Sequence, residues 1–357
     1  MANIFDYLND VAYDSFYDLP VNELDVLALT ELTYLPFDDL VAQEPKRLID
    51  LAPQIPRETT MLTNKNRLQL LDQLSQHKRF KNCKLSNFIN DIDPELQKQF
   101  AAMTYRISLD TYLLVFRGTD DSIIGWKEDF HMTYMKEIPA QKHALQYLQD
   151  FFAQHPNQKV ILAGHSKGGN LAVYAASQLD PLLQKNIVAV YTFDAPGLHK
   201  ELTETAGYQN MMERTKVFVP QGSIIGMMLE IPDKKIVVRS TALGGLAQHD
   251  TFSWQVEDKH FVQLDETNSD SQQVDTTFKE WVETVPDTEL QLYFDLFFGI
   301  ILDAGISSIN DLSSFKVIEH IHHLFVQAQS LTPEERETMG RLTQLLIDTR
   351  YQAWKNR

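Results

Sequence analysis

Cysteine, positive charge and long apolar runs are scarce in this sequence, and each shortage excludes a class of protein. The only cysteine among the 357 residues is Cys83, so no intrachain disulfide framework exists and we expect a cytoplasmic location. The 32 lysines and arginines face 49 aspartates and glutamates, which gives a net charge of −17. This charge argues against nucleic acid or an anionic membrane as an electrostatically attracted partner.

No apolar run reaches the roughly 18 residues that a transmembrane helix needs, so none is predicted. The chain starts MANIFDYLND, with Asp6 and Asp10 where a secretory signal carries basic and then apolar residues. Hydrophobic residues make up 43% and charged residues 23% of the chain, as in ordinary globular proteins. The composition therefore predicts a soluble protein with a sizeable core.

Helical and strand-like patterns alternate along most of the chain. Asn22 can cap a helix that Pro36 stops, a second helix is predicted near residues 68–74, and residues 100–107 and 111–116 read as a hairpin. The elements predicted after the hairpin are a helix at 141–153, a strand at 159–163, a helix at 167–179, a strand at 187–193, a helix at 199–207, and strands at 216–219 and 235–239. This alternation predicts an α/β fold with a mainly parallel sheet and helices on both faces.

The pattern changes near residue 265. The polar stretch 268–275 reads as a linker, and the remainder is helical to the end. We therefore expect a domain over 1–265 with an N-terminal helical segment, and a C-terminal helical appendage over 266–357 packed on or beside it. The apolar segment 290–306 is interpreted as a helix buried against the sheet domain, with a lid, a homo-oligomer interface or a membrane-surface face as the alternatives.

The sequence KVILAGHSKGGN, at 159–170, is the most informative stretch of the chain. It places G-x-S-x-G between a strand and a helix, which is the context of a nucleophile elbow. A serine on such a strained turn projects above the sheet edge, and Gly164 and Gly168 leave room for the crowded backbone. The alternative is a glycine-rich or anion-binding turn. Ser166 is the predicted nucleophile.

The base for such a serine is a histidine farther along the chain, because hydrolases of this type run nucleophile, acid, base. His249 follows the last predicted sheet strand, in a loop that begins with two glycines, and is the predicted general base. The other downstream histidines are His199, His260, His320, His322 and His323. We interpret the last three as surface residues rather than metal ligands. His165, beside the nucleophile, is expected to pack or bond locally.

Asp194 is the candidate acid, because it ends the strand expected beside the nucleophile strand. A structural role is equally open, since an aspartate before Ala195-Pro196-Gly197 suits a turn. Asp250 adjoins His249 and would struggle to bend back onto that ring.

An oxyanion hole requires two backbone N–H groups aimed at the developing charge. The residue after the nucleophile, Lys167, supplies one at a helix N-terminus. Thr119, after the predicted strand that ends in FRGT, is the candidate for the second.

Four ordered motifs, FRGT (116–119), Trp126 with Asp129, GHSKGG (164–169) and VYTFDAPG (190–197), resemble those of the class three, fungal-type lipases. With NIFDYL, FVPQGSIIGMML and QHDTFSW, the chain more closely resembles a bacterial family of uncharacterised hydrolases, the Mbeg-type proteins, over about residues 3 to 260. The resemblance implies an α/β-hydrolase fold. It also implies Ser166 as nucleophile, Thr119 and Lys167 at the oxyanion hole, and His249 as base.

The chain departs from the lipase pattern at the acid. Ser223 occupies the place of the lipase aspartate, with Gln221 nearby as a residue expected to line the site, and Asp194 replaces the glycine of TFGAP. Two interpretations are open. Either the acid of the triad has moved to the end of the preceding strand, where Asp194 stands, or the acid is lost and the enzyme is weak or inactive. Lys167 replaces an apolar residue, and we expect its side chain to pair with Asp194, Asp120 or Asp121, or to meet an anionic substrate.

These observations predict a serine ester hydrolase that needs no metal and no organic cofactor. Its expected substrate is a small ester or a lipid with an apolar acyl group, and a thioester is the variant on the same chemistry. The alternative is a weak or inactive hydrolase scaffold that acts as an interaction protein through its C-terminal helices.

Overall fold

The structure is a computed structural model that describes residues 2–58, 64–120, 122–232, 234–306, 327 and 329–355. The strands of this described part are β1 (Lys46–Arg47), β2 (Lys84–Asp93), β3 (Lys98–Arg106), β4 (Thr111–Phe116), β5 (Lys159–His165), β6 (Ile187–Phe193), β7 (Thr215–Pro220), β8 (Lys235–Val238), β9 (Val256–Glu257), β10 (His260–Phe261) and β11 (Gln263–Leu264).

The helices of the same residues are α1 (Ile4–Asp10), α2 (Glu23–Leu32), α3 (Leu48–Leu51), α4 (Asn64–Gln76), α5 (Ile123–His131), α6 (Pro139–Gln154), α7 (Lys167–Gln178), α8 (Pro181–Gln184), α9 (Lys200–Thr203), α10 (Ala206–Met212), α11 (Gly245–Gln248), α12 (Ser269–Thr284), α13 (Asp287–Asp303) and α14 (Pro333–Lys355). Short 3₁₀ turns occur at Ala52–Gln54, Ile225–Met227 and Thr251–Ser253.

The main sheet has a parallel centre. Its order across the described strands is β1-β2-β3-β4-β5-β6-β7-β8-β11, with β9 and β10 paired separately. Strands β4 to β8 run parallel, while β1 to β4 and the β8–β11 pair are antiparallel. The predicted hairpin is β3–β4. The predicted α/β fold class is confirmed, because parallel strands joined by helical crossovers form the middle of the sheet.

Apolar side chains cover both faces of the sheet. On one face the N-terminal helices α1 to α4 pack against residues such as Val115 and Phe193. On the other face α6 and α7 pack against residues such as Leu114 and Leu162. The strands β4 to β6 are therefore buried on both sides, which explains why their sequences are apolar nearly throughout.

The N-terminal helix α2 lies wholly inside the protein. All ten of its residues are buried, and the Asn22 side chain accepts from two backbone N–H groups at its start, as the capping pattern predicted. Burial on every side explains why the helix carries apolar residues all round. It also buries three acidic residues, of which Asp25 and Glu31 lie deepest and need cationic partners.

Two local predictions are wrong. The polar stretch 268–275 is not a linker, because the Asn268 side chain accepts from the Ser271 N–H and caps α12, which begins at Ser269. The helix predicted at 199–207 is two short helices, α9 and α10, because the Thr205 hydroxyl accepts from the Tyr208 N–H and starts a new helix. Polar residues at a helix start resemble a loop in sequence.

The C-terminal helices α12, α13 and α14 pack together and onto α5 through a cluster centred on Ile123, Trp281 and Phe294. One side of α13 is buried in this cluster, while Leu292 and Phe297 of the same helix remain partly exposed. Residues 307–326 of the predicted helical remainder, with His320, His322 and His323 among them, lie outside the described residues. The division of the chain at residue 265 stays a prediction.

Two features are absent from the residues that the structure describes. None of their helices is long and apolar enough to cross a membrane. No three of their histidine, cysteine, aspartate or glutamate side chains are grouped so as to hold a metal ion.

Candidate active site

Ser166 lies at the bend between β5 and α7. Its backbone angles are φ 56° and ψ −138°, a conformation that residues other than glycine rarely adopt. The bend is crowded, because a Cβ at Gly164 would overlap the backbone of Gly168. Ser166 is 9% exposed and lines a small cavity. The strained turn therefore holds this serine at the carboxyl edge of the sheet.

Three adjacent strands end at this point. The Ser166 N–H donates to the Phe193 carbonyl of β6 over 3.0 Å, which brings the next residue, Asp194, alongside. After β4, Gly118 lies so close that a Cβ built on it would be 2.9 Å from Ser166 Cβ. The carboxyl ends of neighbouring parallel strands thus bring the residues of three segments together.

Asp194 and His249 form a hydrogen bond between Nδ1 of the ring and Oδ2 of the carboxylate, with 2.6 Å between these atoms. Asp194 is fully buried, and its Oδ1 accepts from Ser223 Oγ at 2.5 Å and from the Gly226 N–H at 3.1 Å. The His249 side chain is 21% exposed. Within the described residues, no hydrogen bond joins Ser166 Oγ to the His249 ring, and such bonds often tighten only when substrate binds.

Gln221 lies outside this network. Its Nε2 donates to the Ser240 carbonyl over 3.3 Å, and its Oε1 accepts from the Ser240 N–H at 2.9 Å. Gln221 therefore holds the loop after β8, whereas Ser223 bonds directly to the Asp194 carboxylate.

Thr119 and Lys167 flank Ser166, on the loop after β4 and on the first residue of α7. Within the described residues, neither of their backbone N–H groups donates to a protein acceptor. The Thr119 hydroxyl donates to Oδ2 of Asp129 on α5 over 2.6 Å, and this bond fixes the Thr119 side chain to that helix. Burial raises the pKa of Asp129 to about 6, although Lys167 and Thr119 act in the opposite direction.

The Lys167 side chain does not contact Asp194, so that expectation is wrong. Its Nζ lies 2.8 Å from Glu128 Oε2, 3.0 Å from Gln99 Oε1 and 3.5 Å from Asp129 Oδ1, in a fully buried position. Burial disfavours its charge, but Glu128 and Asp129 outweigh burial and raise the pKa of Lys167 above its ordinary value. Asp120 acts on it only at longer range, and Asp121 lies outside the described residues. Lys167 thus ties the start of α7 to α5.

The cavity at Ser166 is narrow and mostly apolar. Its volume is about 30 Å³. Its lining residues besides Ser166 are Trp126, Asp129, Phe130, Met132, Lys167, Pro196, Ile225 and Met228. Helix α5 supplies Trp126 and Phe130 to this wall, and the same two side chains pack against the C-terminal cluster, where the ring centroids of Phe130 and Phe294 of α13 are 4.8 Å apart.

The family model of Mbeg1-like proteins matches residues 74–299, which is more than half of the chain. The chain belongs to the Mbeg1-like family. Its parallel sheet centre, with Ser166 on the bend after β5, is the α/β-hydrolase fold that the sequence resemblance implied. No curated protein matches the chain.

Solved lipase structures resemble this Mbeg1-like chain loosely. A mono- and diacylglycerol lipase from Aspergillus oryzae is 16% identical, with a TM-score of 0.43, over 70% of this chain and 89% of that one. The M37 lipase is 15% identical, with a TM-score of 0.37, over 58% and 70%. The Rhizomucor miehei lipase is 19% identical, with a TM-score of 0.32, over 48% and 59%. At these values the comparisons carry no argument about the reaction.

Besides His249, three histidines from residue 165 onward lie in the described part of this Mbeg1-like chain, and each has a partner of its own. His260 Nδ1 lies 2.7 Å from Glu23 Oε1 on the surface, and His199 caps α9 by accepting weakly from the Glu201 N–H. His165 is buried and bonds locally, with its Nε2 at 3.0 Å from the His249 carbonyl oxygen. Among them, His249 is the ring that meets Asp194.

Sequence reasoning missed the buried charges around this site. Glu31 on α2 pairs with Arg67 on α4 and reaches the loop of His249, while Glu128 pairs with Lys167. The available signal was the pair of acidic residues, Asp25 and Glu31, inside the largely apolar helix segment 24–32. A charge at a buried helical position requires a partner, but the identity of that partner depends on tertiary structure.

Proposed function

We propose that this Mbeg1-like chain is a serine ester hydrolase in which Ser166 is the nucleophile, His249 the general base and Asp194 the acid. The observation that carries the proposal is the 2.6 Å hydrogen bond between Asp194 and His249, at the sheet edge where Ser166 ends its strand. A buried carboxylate on Nδ1 keeps the proton on that nitrogen and leaves Nε2 to accept one. This is the arrangement that a serine hydroxyl needs for activation.

In the proposed reaction Ser166 Oγ bonds to the acyl carbon of the ester while its proton passes to His249 Nε2. Asp194 stabilises the resulting imidazolium. The imidazolium returns the proton to the departing alcohol oxygen as the ester C–O bond breaks, which leaves an acyl-serine. Water then attacks the acyl carbon by the same route, giving the carboxylic acid and free Ser166. The steps require neither a metal nor an organic cofactor.

The N–H groups of Thr119 and Lys167 are the proposed oxyanion donors. Support comes from their position on both sides of Ser166 and from the lack of a protein acceptor for either among the described residues. Loss of one such donor in a serine protease costs about 10²- to 10³-fold in turnover. The ties of the Thr119 hydroxyl and the Lys167 ammonium to α5 would hold both donors in place before substrate arrives.

The proposed substrate is a small carboxylic ester with an apolar acyl group. The cavity beside Ser166 is apolar but has room for only a short chain. A thioester is attacked by the same groups. A cytoplasmic location, the absence of a nucleic-acid partner and homo-oligomerisation through the C-terminal helices stay predictions.

Labelling with a fluorophosphonate tests the proposal directly. We expect the wild-type protein to be labelled and to hydrolyse p-nitrophenyl esters. Ser166→Ala should do neither while it keeps the wild-type circular dichroism spectrum and melting temperature. A folded wild-type protein that neither reacts nor hydrolyses any ester of the series would overturn the proposal and favour an interaction role for this scaffold.

A further inference from the structure

The loop that carries His249 is attached to the N-terminal helices through buried polar contacts. Two residues after His249, the Thr251 hydroxyl donates to Glu31 Oε1 over 2.9 Å. Glu31 is on α2, 2% exposed, and its Oε2 accepts two hydrogen bonds from Arg67 at 2.9 Å and 3.0 Å. One carboxylate therefore links the His249 loop to two helices.

Glu31 is charged in spite of its burial. Burial opposes its ionisation, but Arg67 and the Thr251 hydroxyl hold the pKa of Glu31 below its ordinary value. A buried carboxylate with full partners is a rigid anchor, because loss of any partner leaves uncompensated charge.

A second contact reaches the same loop through the nucleophile strand. His165 Nε2 lies 3.0 Å from the His249 carbonyl oxygen, and since a carbonyl only accepts, this nitrogen carries the proton. The other nitrogen, Nδ1, is then an acceptor and can bond only the Tyr34 hydroxyl, 3.3 Å away, because the ionised Glu31 carboxylate beside it has no proton to donate. Burial lowers the pKa of His165 to about 4, so the ring is neutral at pH 7.

The Tyr34 hydroxyl continues the network toward Thr119. It accepts from the Gly118 N–H at 3.1 Å, on the loop after β4, and the Arg67 guanidinium stacks 3.9 Å above its ring. Glu31, Tyr34 and Arg67 thus contact residues next to the proposed base, nucleophile and oxyanion donor. All three lie before residue 74, where the match to the family model begins.

We infer that Glu31 and Thr251 are positioning residues of the proposed site, which hold the His249 loop where its ring meets Asp194 and faces Ser166. The N-terminal helical segment is then part of the site and more than a cover for the sheet. The inference rests on the proposed function for its kinetic consequence. Its geometric consequence, an ordered His249–Asp194 contact, is independent of turnover.

Thr251 offers the sharpest test, because two substitutions separate its hydrogen bond from its packing. Thr251→Val keeps the shape and loses the hydroxyl, while Thr251→Ser keeps the hydroxyl and loses the methyl group. We expect Thr251→Val to lower kcat by about 10- to 100-fold with little change in KM, as misplacement of a base by a fraction of an ångström does. Thr251→Ser should retain most of the activity.

Glu31→Gln has a matched control on the same helix. Asp25, also on α2 and fully buried, pairs with Arg79 at 2.5 Å as Glu31 pairs with Arg67, but its partners lie away from the His249 loop. Glu31→Gln and Asp25→Asn should both lower the melting temperature. Only Glu31→Gln should lower kcat at temperatures where both variants are folded.

A spectroscopic measurement keeps the test decisive if wild type shows no activity. With ¹⁵N-labelled histidine, the Nδ1 proton of His249 should give a far-downfield resonance from its short bond to Asp194. This resonance should broaden or move upfield in Thr251→Val and Glu31→Gln, and stay unchanged in Asp25→Asn and Thr251→Ser.

Two results would overturn the inference. One is an unchanged His249 resonance in both Thr251→Val and Glu31→Gln. The other is an equal kcat loss in Glu31→Gln and Asp25→Asn, which would show a general stability effect. Failure of wild type to react with a fluorophosphonate would refute the proposed function instead and leave the resonance test to decide the positioning role.

Discussion

Ser223 donates a 2.5 Å hydrogen bond to the carboxylate of Asp194. Ser223 stands where the lipase motif has its acid, and here it holds an aspartate that follows the preceding strand, β6. The Asp194 backbone has φ 44°, a conformation that favours glycine, asparagine and aspartate. An aspartate therefore suits this position of the backbone. The contact places residue 223 beside the carboxylate that bonds the His249 ring.

Asp194→Asn should lower kcat for p-nitrophenyl butyrate by about 10⁴-fold, because an amide on Nδ1 favours the wrong tautomer of His249. Asparagine tolerates the positive φ, so we expect the folded state to persist. The matched control is Asp250→Asn, beside His249, whose carboxylate accepts from the Phe252 N–H and can be replaced by an amide oxygen. Near-wild-type turnover in Asp194→Asn would refute the assigned acid.

Moving the carboxylate back to the lipase position tests the same relationship in the other direction. Ser223→Asp alone places two carboxylates within bonding distance, where like charges prevent both from ionising, so activity at pH 7 should fall. In Asp194→Gly with Ser223→Asp, one carboxylate remains. We expect the double variant to exceed Asp194→Gly alone by at least about tenfold in kcat, or ~1.4 kcal/mol. No difference between these two would show that residue 223 cannot serve His249.

Lys167→Met should lower the free energy of unfolding by about 3–5 kcal/mol, because it leaves Glu128 and Asp129 buried without their cation. Adding Glu128→Gln should recover part of that loss. Lys136→Met is the control, since the Lys136–Glu201 pair is exposed, and exposed ion pairs contribute little to stability. Urea denaturation measures the free energy of unfolding of each variant. An equal decrease in Lys167→Met and Lys136→Met would contradict the stabilising role of the buried ion pair.

Local pattern sufficed for much of the fold and for the strand-end positions of Ser166 and Asp194. The glycines around Ser166 and the position of Asp194 after an apolar strand are local features, and both residues stand at the strand ends where the pattern placed them. The capped start of α2 at Asn22 is of the same kind.

Tertiary partners could not be read in this way. Glu128 is 39 residues from Lys167, and only the packing of α5 against α7 makes it the partner in place of Asp194. Strand β2 (Lys84–Asp93) was missed because it carries polar residues and a bulge between Ser86 and Ile89. The start of α12 was read as a linker because its first turns are polar.

Asp129 should make stability fall as pH rises from about 4 to 6. Its folded pKa is raised to about 6, so across this window the folded state holds a proton that the unfolded state has released, and ionisation then favours unfolding. The effect is at most about 3 kcal/mol. Denaturation of wild type and Asp129→Asn at pH 4, 5, 6 and 7 measures it. The stability difference, Asn variant minus wild type, should increase with pH, and a constant difference would contradict the raised pKa.

Acyl-chain preference follows from the 30 Å³ cavity beside Ser166. We expect p-nitrophenyl acetate and butyrate to be hydrolysed at least about tenfold faster than the decanoate, because a chain too large for a packed site costs about 1–3 kcal/mol. Trp126→Ala and Met228→Ala remove lining side chains and should raise the relative rate on longer esters. Phe297→Ala, on the exposed side of α13 and outside the lining, should leave the profile unchanged. A wild-type preference for decanoate would mean that α5 moves to admit substrate, so that the closed cavity does not set specificity.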